Sequence, residues 1–152
     1  MAQEIERKFI VVDESWRAMS HRPRLIRQGY ITRGPPAVVR IRTFGERGFL
    51  TIKNAAVGLV RSEFEHEIPF AEAEELLRWA CEGRLIEKTR HKIAWEGLDW
   101  VIDEFAGALS GLVLAEIELH YADQSVSLPP WVGREVTDDP TYGNSSLSLA
   151  PP

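Results

Sequence analysis

Glu4, Glu6 and Lys8 occupy alternate positions in the segment Glu4-Ile5-Glu6-Arg7-Lys8-Phe9. Read as a β-strand, that spacing puts two carboxylates and an ammonium on one face, with Ile5 and Phe9 on the other. Neighbouring carboxylates are ligands for hard divalent cations, and a cation beside a lysine suits polyphosphate chemistry. An ordinary half-solvated strand alternates in the same way, so the remaining strands must decide between the two readings.

They carry the same signature. Arg40 and Arg42 oppose Val39 and Ile41, and Thr51 and Lys53 oppose Leu50 and Ile52. Arg61, Glu63, Glu65 and Glu67 oppose Phe64 and Ile68, and Lys88, Arg90 and Lys92 share one face of a later segment. Asp103 lies on the side of Val101 and Phe105, while Glu116 and Glu118 oppose Ala115, Ile117 and Leu119. A sheet with one wet face mixes its signs at random. Here like charges come in runs, and neighbouring like charges repel unless a counter-charge neutralises them. Acidic groups around divalent cations and basic groups around a polyanion relieve both sets of repulsions, and polyphosphate bound with its metal supplies both.

The elements that position these faces follow from periodicity and turn residues. Strands are expected over 4–12, 24–32, 38–44, 49–53, 59–68, 84–95, 98–105 and 112–121, with a turn at Gly34-Pro35-Pro36 and a hairpin around 45–48. Residues 13–20 read as a short helix capped by Asp13, with Trp16 and Met19 on its apolar side. The clearest amphipathic helix is 72–82, with Leu76, Leu77, Trp79 and Ala80 inward and Gly83 as its stop. Beyond Ser125 short helical turns and an irregular cap are expected. Most connections are too short for crossovers, so the strands are antiparallel, and eight of them can close into a barrel. The expected fold is therefore mainly β (α+β): an eight-stranded antiparallel β-barrel with a few helices packed outside. The helices around Trp16 and Leu76 would cover the apolar exterior, and the charged faces would line a hydrated tunnel.

At 152 residues the chain is expected to form one domain spanning 1–152, with 44% hydrophobic and 27% charged residues, as in an ordinary globular protein. The net charge of −5 argues against a nucleic-acid partner, as does the scatter of its 5 tryptophans away from basic runs. Cys81, the single cysteine, falls in an apparent helix and reads as a small buried hydrophobe. No segment resembles a signal peptide or a spanning helix, so a cytoplasmic location and no membrane partner are expected. His66, His91 and His120 show no ligand spacing and read as surface or packing residues.

Taken in order, these segments resemble the CYTH superfamily, the triphosphate tunnel metalloenzymes. The resemblance runs through Glu4-x-Glu6-x-Lys8, Gln28-Gly29-Tyr30, Arg40-x-Arg42, Thr51-Ile52-Lys53 and Arg61-x-Glu63-x-Glu65. It continues through Lys88-Thr89-Arg90, Asp103-Glu104-Phe105-x-Gly107, Leu114-Ala115-Glu116-Ile117-Glu118 and Tyr142-x-Asn144. It thus covers nearly the whole chain. It implies an eight-stranded barrel acting on a small-molecule triphosphate with Mg²⁺ or Mn²⁺ at two sites. By position, Arg40, Arg42, Lys53 and Arg90 resemble the triphosphate clamp, supported by Lys88 and Arg61. Glu116, Glu118 and Asp103 resemble the ligands of one metal, and Glu4 and Glu6 those of a second that would position the attacking water. Glu63 and Glu65 complete the acidic set. Lys8 resembles a catalytic residue, either a general base or a protonated phosphate ligand, with Tyr30 as a hydrogen-bonding partner.

The reading that results is a metal-dependent hydrolase splitting a small triphosphate, above all inorganic tripolyphosphate, into pyrophosphate and phosphate. A class IV type adenylate cyclase and a thiamine or nucleoside triphosphatase share the same signature. A polyphosphate-binding module without turnover is the alternative outside the enzymes, although its carboxylates would repel its ligand. A homodimer is left open.

Overall fold

The computed structural model describes the backbone of residues 2–54 and 60–152, with side chains over 5–54 and 62–152. Strands β1 (Ala2–Val11), β2 (His21–Thr32), β3 (Ala37–Phe44), β4 (Arg47–Asn54) and β5 (Val60–Ile68) precede helix α1 (Phe70–Trp79). Strands β6 (Glu82–Trp95), β7 (Leu98–Phe105), β8 (Val113–Glu118) and β9 (Val132–Glu135) follow, and α2 (Asn144–Leu147) lies near the C-terminus. All belong to one nine-stranded antiparallel sheet in the order β5-β4-β3-β2-β6-β7-β8-β1-β9. Strand β1 also pairs with β5 from Ala2↔Glu63 to Ile5↔Val60, which brings the ends of the first eight strands together. This join spans only the first part of β1; further along, Phe9 and Val11 pair with β9. The expected antiparallel β architecture is present, with β9 added to it.

Outward side chains form two apolar clusters, each under its own cover. Phe9, Ile93, Trp100, Ile102, Ala115 and Ile117 pack with Trp16, from the 3₁₀ turn Ser15–Met19, and with Trp131. Asp13 accepts hydrogen bonds from the Ser15 amide and hydroxyl at the start of that turn, so its expected capping role takes the form of an Asx turn. On the opposite side α1 lays Ala73 and Leu77 over Ile41. The helix starts earlier and ends earlier than its periodicity suggests. Trp79 is exposed, Cys81 lies just past the helix, and Gly83 (φ +75°) falls inside β6 instead of stopping α1.

One turn transmits register to the interior. Glu96 (φ 48°) and Gly97 (φ 78°) form a two-residue hairpin turn in which both residues are left-handed, the geometry that matches strand twist. It pairs Trp95 with Leu98, and counting back along the ladder brings Arg90 opposite Asp103. A one-residue slip of β7 would send Asp103 to the outer face, away from Arg90. Gly48, at the start of β4, lets α1 approach: a Cβ there would lie 2.7 Å from the Ala73 Cβ and 3.0 Å from the Ile68 carbonyl oxygen. Gly48→Ala should therefore lower stability by about 1–3 kcal/mol through overpacking, read as a reduced urea midpoint with an unchanged m-value.

Candidate active site

Glu6 and Lys8 of β1, Arg40 and Arg42 of β3, Arg90 of β6, Val101 of β7 and Glu116 and Glu118 of β8 line a cavity of about 950 Å³. One wall is acidic. Glu6 stands directly opposite Glu118 in the β1–β8 ladder, and Lys8 opposite Glu116. Another wall is basic, with Arg40, Arg42 and Arg90 lining the cavity. Lys53, Glu63 and Glu65 line it from β4 and β5, with Lys53 and Glu63 paired in register. The side chains of Glu4 and Arg61 lie outside the described residues.

The basic wall is organised by one carboxylate. Asp103, almost wholly buried, accepts from Lys88 Nζ at 2.7 Å, Arg90 Nε at 2.8 Å and Arg90 Nη2 at 2.9 Å. Burial alone would raise the Asp103 pKa. The charges of Arg90 and Lys88, with their hydrogen bonds, overcome it and hold Asp103 well below the usual carboxylate range. Arg90 is the mirror case: burial would lower it, and Asp103 holds it above its ordinary value. Lys88 is fully buried. Burial pulls it down to about 7 against the opposing charge of Asp103, with Arg90 and Arg42 adding to the fall. Its ammonium also donates to Asn144 Oδ1 at 3.3 Å, which ties the α2 segment to the site.

The other cations have less compensation. Burial, then the like charges of Arg40 and Arg90, press Arg42 down to about 9. Its Nε donates to Gln28 Oε1 at 2.9 Å. Arg40 Nη2 donates to Thr51 Oγ1 at 3.1 Å, Thr51 donates to Glu65 at 3.0 Å, and the buried Arg40 Nε has no hydrogen-bond partner. A buried, unpaired guanidinium N–H is costly in a protein interior. It is a donor available to an anion. Lys8 Nζ donates to the Tyr142 carbonyl oxygen at 3.2 Å and lies 3.6 Å from Glu116 Oε1. The expected Lys8–Tyr30 hydrogen bond is therefore replaced: Tyr30 Oη accepts from Gln28 Nε2 at 3.2 Å. For Glu116, burial opposes ionisation, and Lys8 is the main group lowering its pKa.

The interior is not charged throughout. Ile86, Phe105, Leu109, Leu114, Val136 and Leu147 form a buried cluster with Tyr30 inside the barrel, joined by Ile10, Val38 and Tyr142. The expected hydrated tunnel thus has one apolar end, built partly by the C-terminal segment. Reading one strand at a time does not reveal that layer or the bridging roles of Gln28 and Thr51, although all the strand residues concerned sit on the charged faces. Glu67 ends its acidic run in an exposed pair with Arg47, outside the cavity. Among the described residues, no three His, Cys, Asp or Glu side chains converge on a preformed metal site, and no helix is long and apolar enough to cross a membrane.

The family profile of the CYTH domain matches residues 2–151. The chain belongs to the CYTH family. An inorganic triphosphatase of Acetivibrio thermocellus is 46% identical over 151 residues, covering 99% of this CYTH chain and 96% of that protein. One from Nitrosomonas europaea is 41% identical, covering 98% of this chain and 99% of the relative. A solved inorganic triphosphatase structure superposes with a TM-score of 0.70 at 38% identity, covering 100% of this chain and 98% of the other. The fold extends to a Hippeastrum protein described as having a dominant triphosphatase activity, with a TM-score of 0.62 at 17% identity over 78% of this chain and 80% of that one.

Removing the charge of Asp103 tests the organisation of the CYTH site. Asp103→Asn leaves Lys88 and Arg90 buried without their counter-ion and should cost about 3–5 kcal/mol at pH 7. A carboxylate with a depressed folded pKa stabilises above its unfolded value of about 3.9, and that contribution is lost as pH falls toward the folded pKa. The difference between wild type and variant in urea melts should therefore be full at pH 7 and smaller at pH 3.

Proposed function

We propose that the protein hydrolyses a small triphosphate in this cavity, with inorganic tripolyphosphate as the substrate. The observation that carries the reading is the segregation of charge: a wall of guanidinium groups with unspent donors faces a wall of paired carboxylates. Arginine forks hydrogen-bond phosphate oxygens in pairs, so Arg40, Arg42 and Arg90 grip the polyanion, with Lys53 and Lys88 adding charge. Arg61 joins them on the strength of its sequence position. The high identity to two inorganic triphosphatases supports the same substrate.

The acidic wall fits a divalent cation. Glu6 and Glu118 stand directly opposite each other, and all-oxygen donors suit Mg²⁺ or Mn²⁺. Glu6, Glu116 and Glu118 would hold it; Glu4 belongs with this set by position. Glu63 and Glu65 offer further carboxylates on the β5 side, at a second site. Asp103 gives both oxygens to Lys88 and Arg90, so here its first role is to aim the clamp. When bound, the metal neutralises phosphate charge and lowers the pKa of water.

The chain's own groups do the rest. The clamp aligns the triphosphate and offsets the charge that gathers on the phosphoryl oxygens as water attacks a terminal phosphorus and its bond to the bridging oxygen breaks. Pyrophosphate leaves and phosphate is formed. Lys8, on the acidic wall beside Glu116, neutralises the end of the chain under attack, and Tyr30 supplies a hydroxyl to it.

Incubation with Mg²⁺ or Mn²⁺ and, separately, tripolyphosphate, ATP and thiamine triphosphate tests the reading. Phosphate and pyrophosphate should appear fastest from tripolyphosphate. Turnover should stop with EDTA and fall at least about a hundredfold in Glu116→Gln, in line with the several kcal/mol a bound metal supplies. Cyclic AMP from ATP would mark a cyclase, and no turnover with any substrate a binding module.

Neutralising the clamp should also stabilise the fold by linkage. At a hundred times its Kd a ligand contributes about 2.7 kcal/mol, which for a chain of this size raises Tm by about 5–10 °C. Scanning calorimetry with tripolyphosphate and Mg²⁺ measures it, and an unchanged Tm would remove the polyanion site.

A further inference from the structure

Gln28 is a fully buried polar residue inside the barrel, on the same face of β2 as Tyr30 and opposite Arg42 in the β2–β3 ladder. Both ends of its amide are engaged. Oε1 accepts from Arg42 Nε at 2.9 Å, and Nε2 donates to Tyr30 Oη at 3.2 Å. The chemistry of the partners leaves one orientation. A guanidinium can only donate, so the amide atom facing Arg42 must be the carbonyl oxygen. The NH₂ group then faces Tyr30, and because it too can only donate, the phenol oxygen is the acceptor. The phenolic hydrogen is directed away from Gln28, and Tyr30 lines the cavity.

We propose that Gln28 is a positioning residue that passes the fixed polarity of Arg42 to Tyr30, so that Tyr30 presents its O–H as a donor to a phosphoryl oxygen in the cavity. This rests on the triphosphate reading and adds to it the direction of one hydrogen bond. A Ser or Thr hydroxyl in place of Tyr30 would still choose its own rotor. Here the choice is made by an arginine that itself belongs to the clamp. The alternative is that Gln28 only fills and satisfies the β2–β3 interior. Loss of the amide would then act on folding and on Arg42, with no dependence on Tyr30.

A double-mutant cycle separates the two. Gln28→Met keeps length and apolar bulk but breaks the link; Tyr30→Phe removes the hydroxyl. Each should lower kcat for tripolyphosphate about tenfold or more, and the double variant should be no slower than the slower single one. Gln28→Glu is the second probe. It keeps an acceptor for Arg42 but also offers one to Tyr30, turning the phenolic hydrogen away from the cavity. It should lower kcat as Tyr30→Phe does and add nothing in the Tyr30→Phe background, while its extra charge raises KM in both. Equal, multiplicative losses of kcat in the presence and absence of the Tyr30 hydroxyl, for whichever Gln28 variant keeps a wild-type melting profile, would overturn the proposal. If wild type binds tripolyphosphate without turning it over, the hydrolase reading fails separately. The same cycle read as Kd by calorimetry then tests Gln28, with non-additive losses supporting it and additive losses overturning it. Wild type that neither binds nor cleaves tripolyphosphate overturns both.

Discussion

Asp103, held between Lys88 and Arg90, is the interaction on which the interior depends. Taking charges out of water costs several kcal/mol per ion unless geometry and hydrogen bonds compensate. Here both carboxylate oxygens are used and both cations are engaged, with contacts of 2.7–2.9 Å. The cluster joins β6 to β7, reaches α2 through Asn144, and sets the direction of the Arg90 fork. Its geometry is in turn fixed at a distance. The left-handed Glu96-Gly97 turn determines which residue of β7 faces Arg90, so a local backbone requirement at a hairpin tip specifies the chemistry of the site.

Around that anchor the basic residues are compensated unequally, and the inequality has a physical meaning. Arg90 is neutralised at short range, whereas Arg42 meets the amide of Gln28 and the like charges of Arg40 and Arg90. Arg40 meets a hydroxyl and, at 3.6 Å, Glu65. The interior is thus rigid where it is neutralised and left with unspent electrostatic potential where a ligand would sit. A preformed field of this kind costs little reorganisation when an anion arrives, the condition under which charge stabilisation is most effective.

Much of this is legible in strand parity. Alternation alone assigns Glu6, Lys8, Arg40, Arg42, Arg90, Glu116 and Glu118 to one face, and the runs of like sign imply a charged ligand. The covers at Trp16 and Leu77 follow from the same alternation read outward. Three things were less legible. Strand β9 is short and is defined by pairing to the far end of β1, which no local pattern encodes. The end of α1 is set by entry into β6, so Trp79 follows helical period yet meets solvent. And Lys8 and Tyr30, both inward by parity, find other partners, because parity gives the face of a strand but not the distance across a barrel.

The apolar end of the interior shows what parity can carry when strands are read together. Ile10 follows Lys8 by two residues, Phe105 follows Asp103, and Val38, Ile86 and Leu114 precede Arg40, Lys88 and Glu116 by two. Taken one strand at a time, each is an unremarkable hydrophobe at the margin of a charged run. In an antiparallel barrel neighbouring strands run in opposite directions, so residues that follow the charge on one strand and precede it on the next fall in the same layer. The fold gathers them into one buried cluster with Tyr30 and Leu147. That layer excludes water beneath the charged one, lowers the local dielectric and strengthens every interaction above it. Charge and apolar packing are therefore two levels of the same inward face, and the binding field of the upper level depends on the dryness of the lower.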